Sequence, residues 1–194
     1  MIISFLKKIS VVSLLLLLLP LHPSTANAVT ENQNREIRIC YARATLYEVF
    51  ANRYIKGFTK RQSINFVKSI GATPDATRKT IKVVKATYRD KPGGKFQYAL
   101  GKLQQCHQNN VSIVNQRLGT LCYSLKGMVE VINNAKKSGK TYEQTMTMVS
   151  AKINNKGLIS LARTMGRAVY NGSTPVNKLQ KNYYLACVKT ALGG

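Results

Sequence analysis

Apolar residues recur at helical steps along most of this chain, and alternating runs of β-branched residues are few. In residues 36–54 the spacing of Ile39, Leu46, Val49 and Phe50 predicts a helix with one apolar stripe. Residues 113–136 predict another, with Leu118, Leu121, Leu125, Met128 and Ile132 at near-helical intervals. Gly57 and Gly139 fit as stops after these segments, because glycine enters the left-handed region without a Cβ penalty. Two residues further on, Thr59-Lys60-Arg61-Gln62 and Thr141-Tyr142-Glu143-Gln144 each match a capping box. In that motif the threonine oxygen accepts from the N3 amide, and the glutamine side chain reaches back to the threonine amide.

Second helices are therefore expected over 60–70 and 142–153, with Ile64, Phe66 and Val67 matched by Met146, Met148 and Val149 as core residues. Flexible apolar filling accounts for the methionines better than a ligand role. Third helices follow over 74–90 and 156–170. Thr73-Pro74-Asp75 supplies a cap, a first-turn proline and an acid at the helix N-terminus. Gly93-Gly94 and Asn171-Gly172 mark turns, and fourth helices run over 95–106 and 175–187, the latter opened by Thr174-Pro175. The fold class expected is all-α.

These segments form two sets. Laid over each other without a gap, residues 40–88 and 122–170 agree at 11 of 49 positions, where unrelated sequences would give roughly 3. The shared residues include Cys40/Cys122, Tyr41/Tyr123, Glu48/Glu130, Asn52/Asn134, Gly57/Gly139, Thr59/Thr141, Gln62/Gln144 and Tyr88/Tyr170, all 82 residues apart. A second cysteine closes each set: Cys106 lies 66 residues after Cys40, and Cys187 lies 65 after Cys122. The expected architecture is two tandem four-helix repeats over 29–107 and 111–194, joined by a short polar linker, His107 to Asn110. Each repeat is small for an independent core.

Residues 1–28 read as a cleaved signal peptide. Lys7 and Lys8 give a positive start, Val11 to Leu19 is apolar apart from Ser13, and Ala26-Asn27-Ala28 fits a small-x-small cleavage site. The apolar run falls short of the roughly 20 residues of a spanning helix, so no transmembrane anchor is expected. Val29 rather than a cysteine follows the cleavage site, which argues against lipid attachment there. An exported protein, periplasmic or secreted, meets an oxidising compartment, and four cysteines then suggest two disulfides. Of the three connectivities, the repeat favours Cys40–Cys106 with Cys122–Cys187. Zinc is disfavoured: there is no C-x-x-C, and His107 is the one histidine beyond residue 28.

Charge is the next signal. Without Lys7 and Lys8, the 30 basic residues fall to 28, which against 7 acids leaves a net charge near +21. Such an excess favours anionic partners: an acidic protein, an envelope polymer or lipid, or nucleic acid. Arg78, Lys82, Lys85 and Arg89 fall at i, i+4, i+7 and i+11, a basic stripe along the third helix, while Ile81, Val84 and Tyr88 take another face. Lys79 and Lys91 widen the basic surface, and Lys95 follows after the turn. The aligned positions in the second set are Ser160, Thr164, Arg167 and Asn171, so the repeated fold does not require the stripe.

Other chemistries find little material. There is no zinc-finger spacing, RNA-recognition aromatic signature or basic region with heptads. The ten tyrosines are dispersed, and the repeated pairs sit at core-like positions. Pro92-Gly93-Gly94-Lys95 lacks the spacing and the Ser or Thr of a phosphate-binding loop. With one histidine, expected in the linker, and the cysteines paired, nucleophilic triads lack components. Glu48/Glu130 is the one repeated acid pair; glycoside hydrolysis uses two carboxylates, so a hydrolase acting on an envelope polymer is one alternative. Hydrogen bonding to a repeated partner such as Asn52/Asn134 or a tyrosine accounts for the pair more simply.

Asn110-Val111-Ser112 and Asn171-Gly172-Ser173 match glycosylation acceptors, relevant in a eukaryotic secretory pathway. Membrane disruption needs an accessible apolar face, and these faces are expected to be spent on packing. The function expected is non-catalytic binding of an acidic macromolecule or surface through Arg78, Lys82, Lys85 and Arg89, with no cofactor and no metal. An inhibitor or immunity protein against an envelope-targeting enzyme or toxin is the other alternative.

Overall fold

Eight α-helices and no strand form among residues 29–111 and 113–192, which the computed structural model describes. The expected leader, residues 1–28, lies outside them, as does Ser112 of the first glycosylation pattern. The helices are α1 (Glu31–Ile55), α2 (Lys60–Ser69), α3 (Pro74–Asp90), α4 (Lys95–Asn110), α5 (Gln116–Lys137), α6 (Tyr142–Ser150), α7 (Lys156–Asn171) and α8 (Val176–Ala191). Local chemistry sets most of the boundaries. Thr59 and Thr141 accept from the Gln62 and Gln144 amides, both at 3.2 Å, and the two glutamine Oε1 atoms accept from the threonine amides at 2.8 and 2.9 Å. A third capping box, Thr30 with Gln33, starts α1 at Glu31, one and a half turns earlier than the apolar pattern indicates. Gly57 and Gly139 stop α1 and α5 at φ +82° and +80°, where any other residue would be strained.

By compactness the described chain divides into two units, Val29–Thr120 and the portion from Leu121 onward, with the division inside α5. In the first unit α1 packs chiefly on α4 and also on α3, and α2 packs on α3. Phe50, Val67, Val83 and Val84 form its core cluster, with Leu46, Tyr47, Ile64, Ile81 and Tyr88 against it. The Cys40–Cys106 disulfide ties α1 to α4 with Cα atoms 5.5 Å apart. In the second unit, Leu125, Met128, Val129 and Ile132 of α5 meet Met146 and Val149 of α6, Ala162, Met165 and Val169 of α7, and Leu179 of α8. The Cys122–Cys187 disulfide ties α5 to α8 with the same Cα separation, 5.5 Å. Gly166 permits the α6–α7 approach: a Cβ there would stand 2.8 Å from Met146 Cε and 2.9 Å from Tyr142 Cε2.

Each unit holds one tyrosine in the same way. Tyr88 Oη donates to the Phe58 carbonyl at 2.6 Å and lies 2.8 Å from Ser63 Oγ. Tyr170 Oη donates to the Lys140 carbonyl at 2.8 Å and lies 2.7 Å from Thr145 Oγ1. A phenol has one proton, so in each case the aliphatic hydroxyl is the donor to the ring oxygen.

Three expectations need correction. His107 to Asn110 is the last turn of α4 rather than a linker, and His107 is only 1 % exposed. No glycine or proline interrupts the chain there, and Asn110 Nδ2 donates back to the Cys106 carbonyl at 2.9 Å. In α1 the buried stripe runs through Ile37, Cys40, Tyr41, Ala44, Glu48 and Ala51, so Ile39 and Val49 face outward despite the helical period. Phe66 is exposed on α2, where Ser63 and Val67 take the buried positions.

Candidate functional site

The basic face of α3 is built from its first turn onward. Thr73 Oγ1 accepts from the Ala76 amide at 3.3 Å, and Pro74 and Asp75 suit the N-terminus. Val83, Val84 and Thr87 are buried, which fixes the helix rotation. That rotation places Arg78, Lys82, Lys85 and Arg89 in solvent, together with Lys79 and Lys91. Lys91 ends the helix in the left-handed region at φ 46°, its amide donating to the Thr87 carbonyl at 3.1 Å.

Carboxylates bracket the stripe. Asp75 lies 2.7 Å from both Arg78 Nη2 and Lys79 Nζ, and the hydrogen bonds from Lys79 and then Arg78 hold its carboxyl below the usual range. Asp90 takes Lys102 Nζ at 2.9 Å, Tyr98 Oη at 2.9 Å and Arg89 Nε at 3.0 Å. Lys102, followed by Tyr98 and Arg89, lowers the Asp90 pKa to about 2. Sequence reasoning did not anticipate this cluster, because Lys102 and Tyr98 reach Asp90 from α4 and no local motif marks them. Arg78 and Arg89 thus have internal partners. Lys82 and Lys85, at the centre of the face, form no ion pair among the described residues. They are the part of the stripe outside any ion pair, and exposed pairs such as Arg78–Asp75 are weak enough for an outside anion to displace.

Lys95 departs from the expected surface. Its Nζ lies 3.8 Å from Glu48 Oε1, so it turns toward the unit's interior. Glu48 is correspondingly buried on α1, while Glu130 is half-buried on α5 in the other unit. A buried carboxylate beside a lysine reads as a packing device that offsets its desolvation. In the second unit the positions aligned with the stripe, Ser160, Thr164, Arg167 and Asn171, are also exposed, and Arg167 lines a shallow groove of about 630 Å³ with Tyr142, Glu143 and Arg163.

His107 is held neutral: burial lowers its pKa from 6.5 to about 4. Among the described residues there is no group of three or more His, Cys, Asp or Glu placed to hold a metal ion, and no helix is long and apolar enough to cross a membrane. No protein-family model matches the chain, and no curated protein or solved structure resembles it significantly.

Proposed function

We propose that this is an exported, non-catalytic binding protein that engages an acidic macromolecule or surface through the α3 face. Arg78, Lys82, Lys85 and Arg89 are the contact residues, with Lys82 and Lys85 at its centre. The observation that carries the reading is Lys82 and Lys85, exposed and outside any ion pair among the described residues, in a chain with 30 basic and 7 acidic residues. A row of cations spaced along three turns meets phosphates or carboxylates of an extended polyanion without needing a cleft. The scaffold beneath it is two tandem four-helix units, each closed by its own disulfide. The matching glycine stops, capping boxes and tyrosine hydrogen bonds at one offset of 82 residues support that duplication. What the units share is structural, and the basic stripe belongs to one of them. The burial of Glu48 beside Lys95 lends no support to a paired-carboxylate hydrolase.

The reading is tested by capture from a delipidated envelope extract, which keeps acidic proteins and polymers and leaves out the bilayer. Wild-type protein retains acidic material that moderate salt releases, and the Arg78→Glu/Lys82→Glu/Lys85→Glu/Arg89→Glu variant retains little. Equal retention by both proteins overturns the α3 assignment. A tight stoichiometric complex with one protein, indifferent to salt, would point instead to an inhibitor or immunity protein.

A further inference from the structure

A second surface lies on the first unit, where exposed apolar side chains meet basic ones. Phe58, Phe66 and Ile70 are 39 %, 40 % and 58 % exposed. They are positioned rather than loose. The Arg53 guanidinium carbon sits 4.1 Å from the Phe58 ring centroid and 4.5 Å from that of Phe66. Arg53 Nε donates in turn to Ser63 Oγ at 3.2 Å, a buried hydroxyl in the Tyr88 hydrogen-bond chain. The two rings thus flank one cation. Ile70 follows Phe66 by one helical turn, on the same side of α2.

The segment that carries this patch has charge of one sign. Between Glu48 and Asp75 the chain has no acid and five basic residues, Arg53, Lys56, Lys60, Arg61 and Lys68. Lys56, Lys60, Arg61 and Lys68 are exposed and form no ion pair among the described residues. The folded unit does not need the patch. At the positions 82 residues on, Ala135 stands for Arg53, Lys140 for Phe58, Met148 for Phe66 and Lys152 for Ile70, yet the tyrosine hydrogen bonds are kept. Exposed apolar groups cost solubility, so a patch absent from the equivalent surface calls for a partner.

We propose that this surface docks on an anionic lipid bilayer: Phe58, Phe66 and Ile70 enter the interface, with Arg53 between the two rings and Lys56 and Lys60, two residues either side of Phe58, reaching the headgroups. The proposal is independent of the α3 reading. An apolar cluster built around Arg53, in a segment with no acid over residues 49–74, complements a surface of uniform negative charge. Ile70, the most exposed of the three, offers no ring for a base to stack on, which favours lipid over single-stranded nucleic acid. The lysines are long enough to keep their ammonium groups in the headgroup layer while the rings go deeper.

The chain contains no tryptophan, so Phe66→Trp provides a single fluorescent probe in the patch itself. Vesicles of equal parts phosphatidylglycerol and phosphatidylcholine shift its emission to the blue and shield it from acrylamide; pure phosphatidylcholine vesicles do not. In co-sedimentation, Phe58→Ser/Phe66→Ser lowers partitioning onto the anionic vesicles by about tenfold or more, with helicity by circular dichroism unchanged. The α3 charge-reversed variant keeps the blue shift. Emission from the Phe66→Trp variant that anionic vesicles leave unshifted overturns the proposal. So does a shift produced by a single-stranded oligonucleotide but not by vesicles, or a dimer in sedimentation velocity that Phe58→Ser/Phe66→Ser dissolves.

Discussion

Replacing Cys40 and Cys106 together by alanine removes the bridge between α1 and α4 and leaves their packed faces in place. The bridged residues are 66 apart, and closing a loop of that length lowers the unfolded chain's entropy by about 15 cal/mol/K, or about 4.4 kcal/mol near room temperature. Both cysteines are buried, so truncation to alanine adds roughly 1 kcal/mol for sulfur volume left unfilled. The expected loss is about 5 kcal/mol, a large share of the roughly 5–15 kcal/mol typical of a folded domain. Urea unfolding followed by far-ultraviolet circular dichroism reads it: with a slope of about 2 kcal/mol per molar urea, the midpoint falls by roughly 2.5 M. Cys122→Ala/Cys187→Ala, at a separation of 65, gives a loss of the same size. A loss under about 1 kcal/mol would refute the reasoning, because the bridge would then scarcely restrict the unfolded chain.

Tyr88→Phe and Tyr170→Phe each remove a hydroxyl bonded to a backbone carbonyl and to a side-chain hydroxyl, and each costs about 1–2 kcal/mol by the same urea assay. A cost confined to one of the two would contradict the equivalence of the units. Stability also falls as the pH drops from about 6.5 to about 4. His107 stays neutral when folded down to about pH 4, while the unfolded chain protonates near 6.5, so the unfolded state binds the extra proton throughout that window. At about 1.36 kcal/mol per unit, the loss is roughly 3 kcal/mol at most. His107→Gln flattens the pH profile in that range, and an unchanged profile would show that another group governs it.

The parts of the fold legible in the sequence are those set by local chemistry. Thr59 and Gln62 bond each other's backbone wherever their segment ends up, and Gly57 terminates α1 because of its own backbone freedom. The cysteine pairing was legible because the 82-residue offset ranked one connectivity above two others. What was not legible depends on which face a helix turns inward. Ile39 and Phe66 have helical spacing, but Cys40 and Val67 beside them point to the core, and the disulfide and the α3 contact decide that rotation. His107 looked like a linker residue because the repeat pattern ended at Cys106; the helix continues a further turn because nothing there stops it. The basic stripe was readable as a period, and the buried Val83, Val84 and Thr87 account for its exposure. The pairing of Arg78 and Arg89 with Asp75 and Asp90 narrows its free charge to Lys82 and Lys85.

The α3 assignment is tested most directly by the salt dependence of binding to a short duplex DNA, used as a polyanion of known charge density. Each cation in contact contributes about one to the slope of log affinity against log salt. With α3 as the contact, Arg78→Glu/Lys82→Glu/Lys85→Glu/Arg89→Glu lowers the slope by roughly three to four. The same reversal at Lys152, Lys156, Lys178 and Lys181, all exposed in the second unit, changes net charge equally and leaves the slope nearly intact. Equal slopes for the two variants would show that binding follows net charge alone, and that α3 is not the contact.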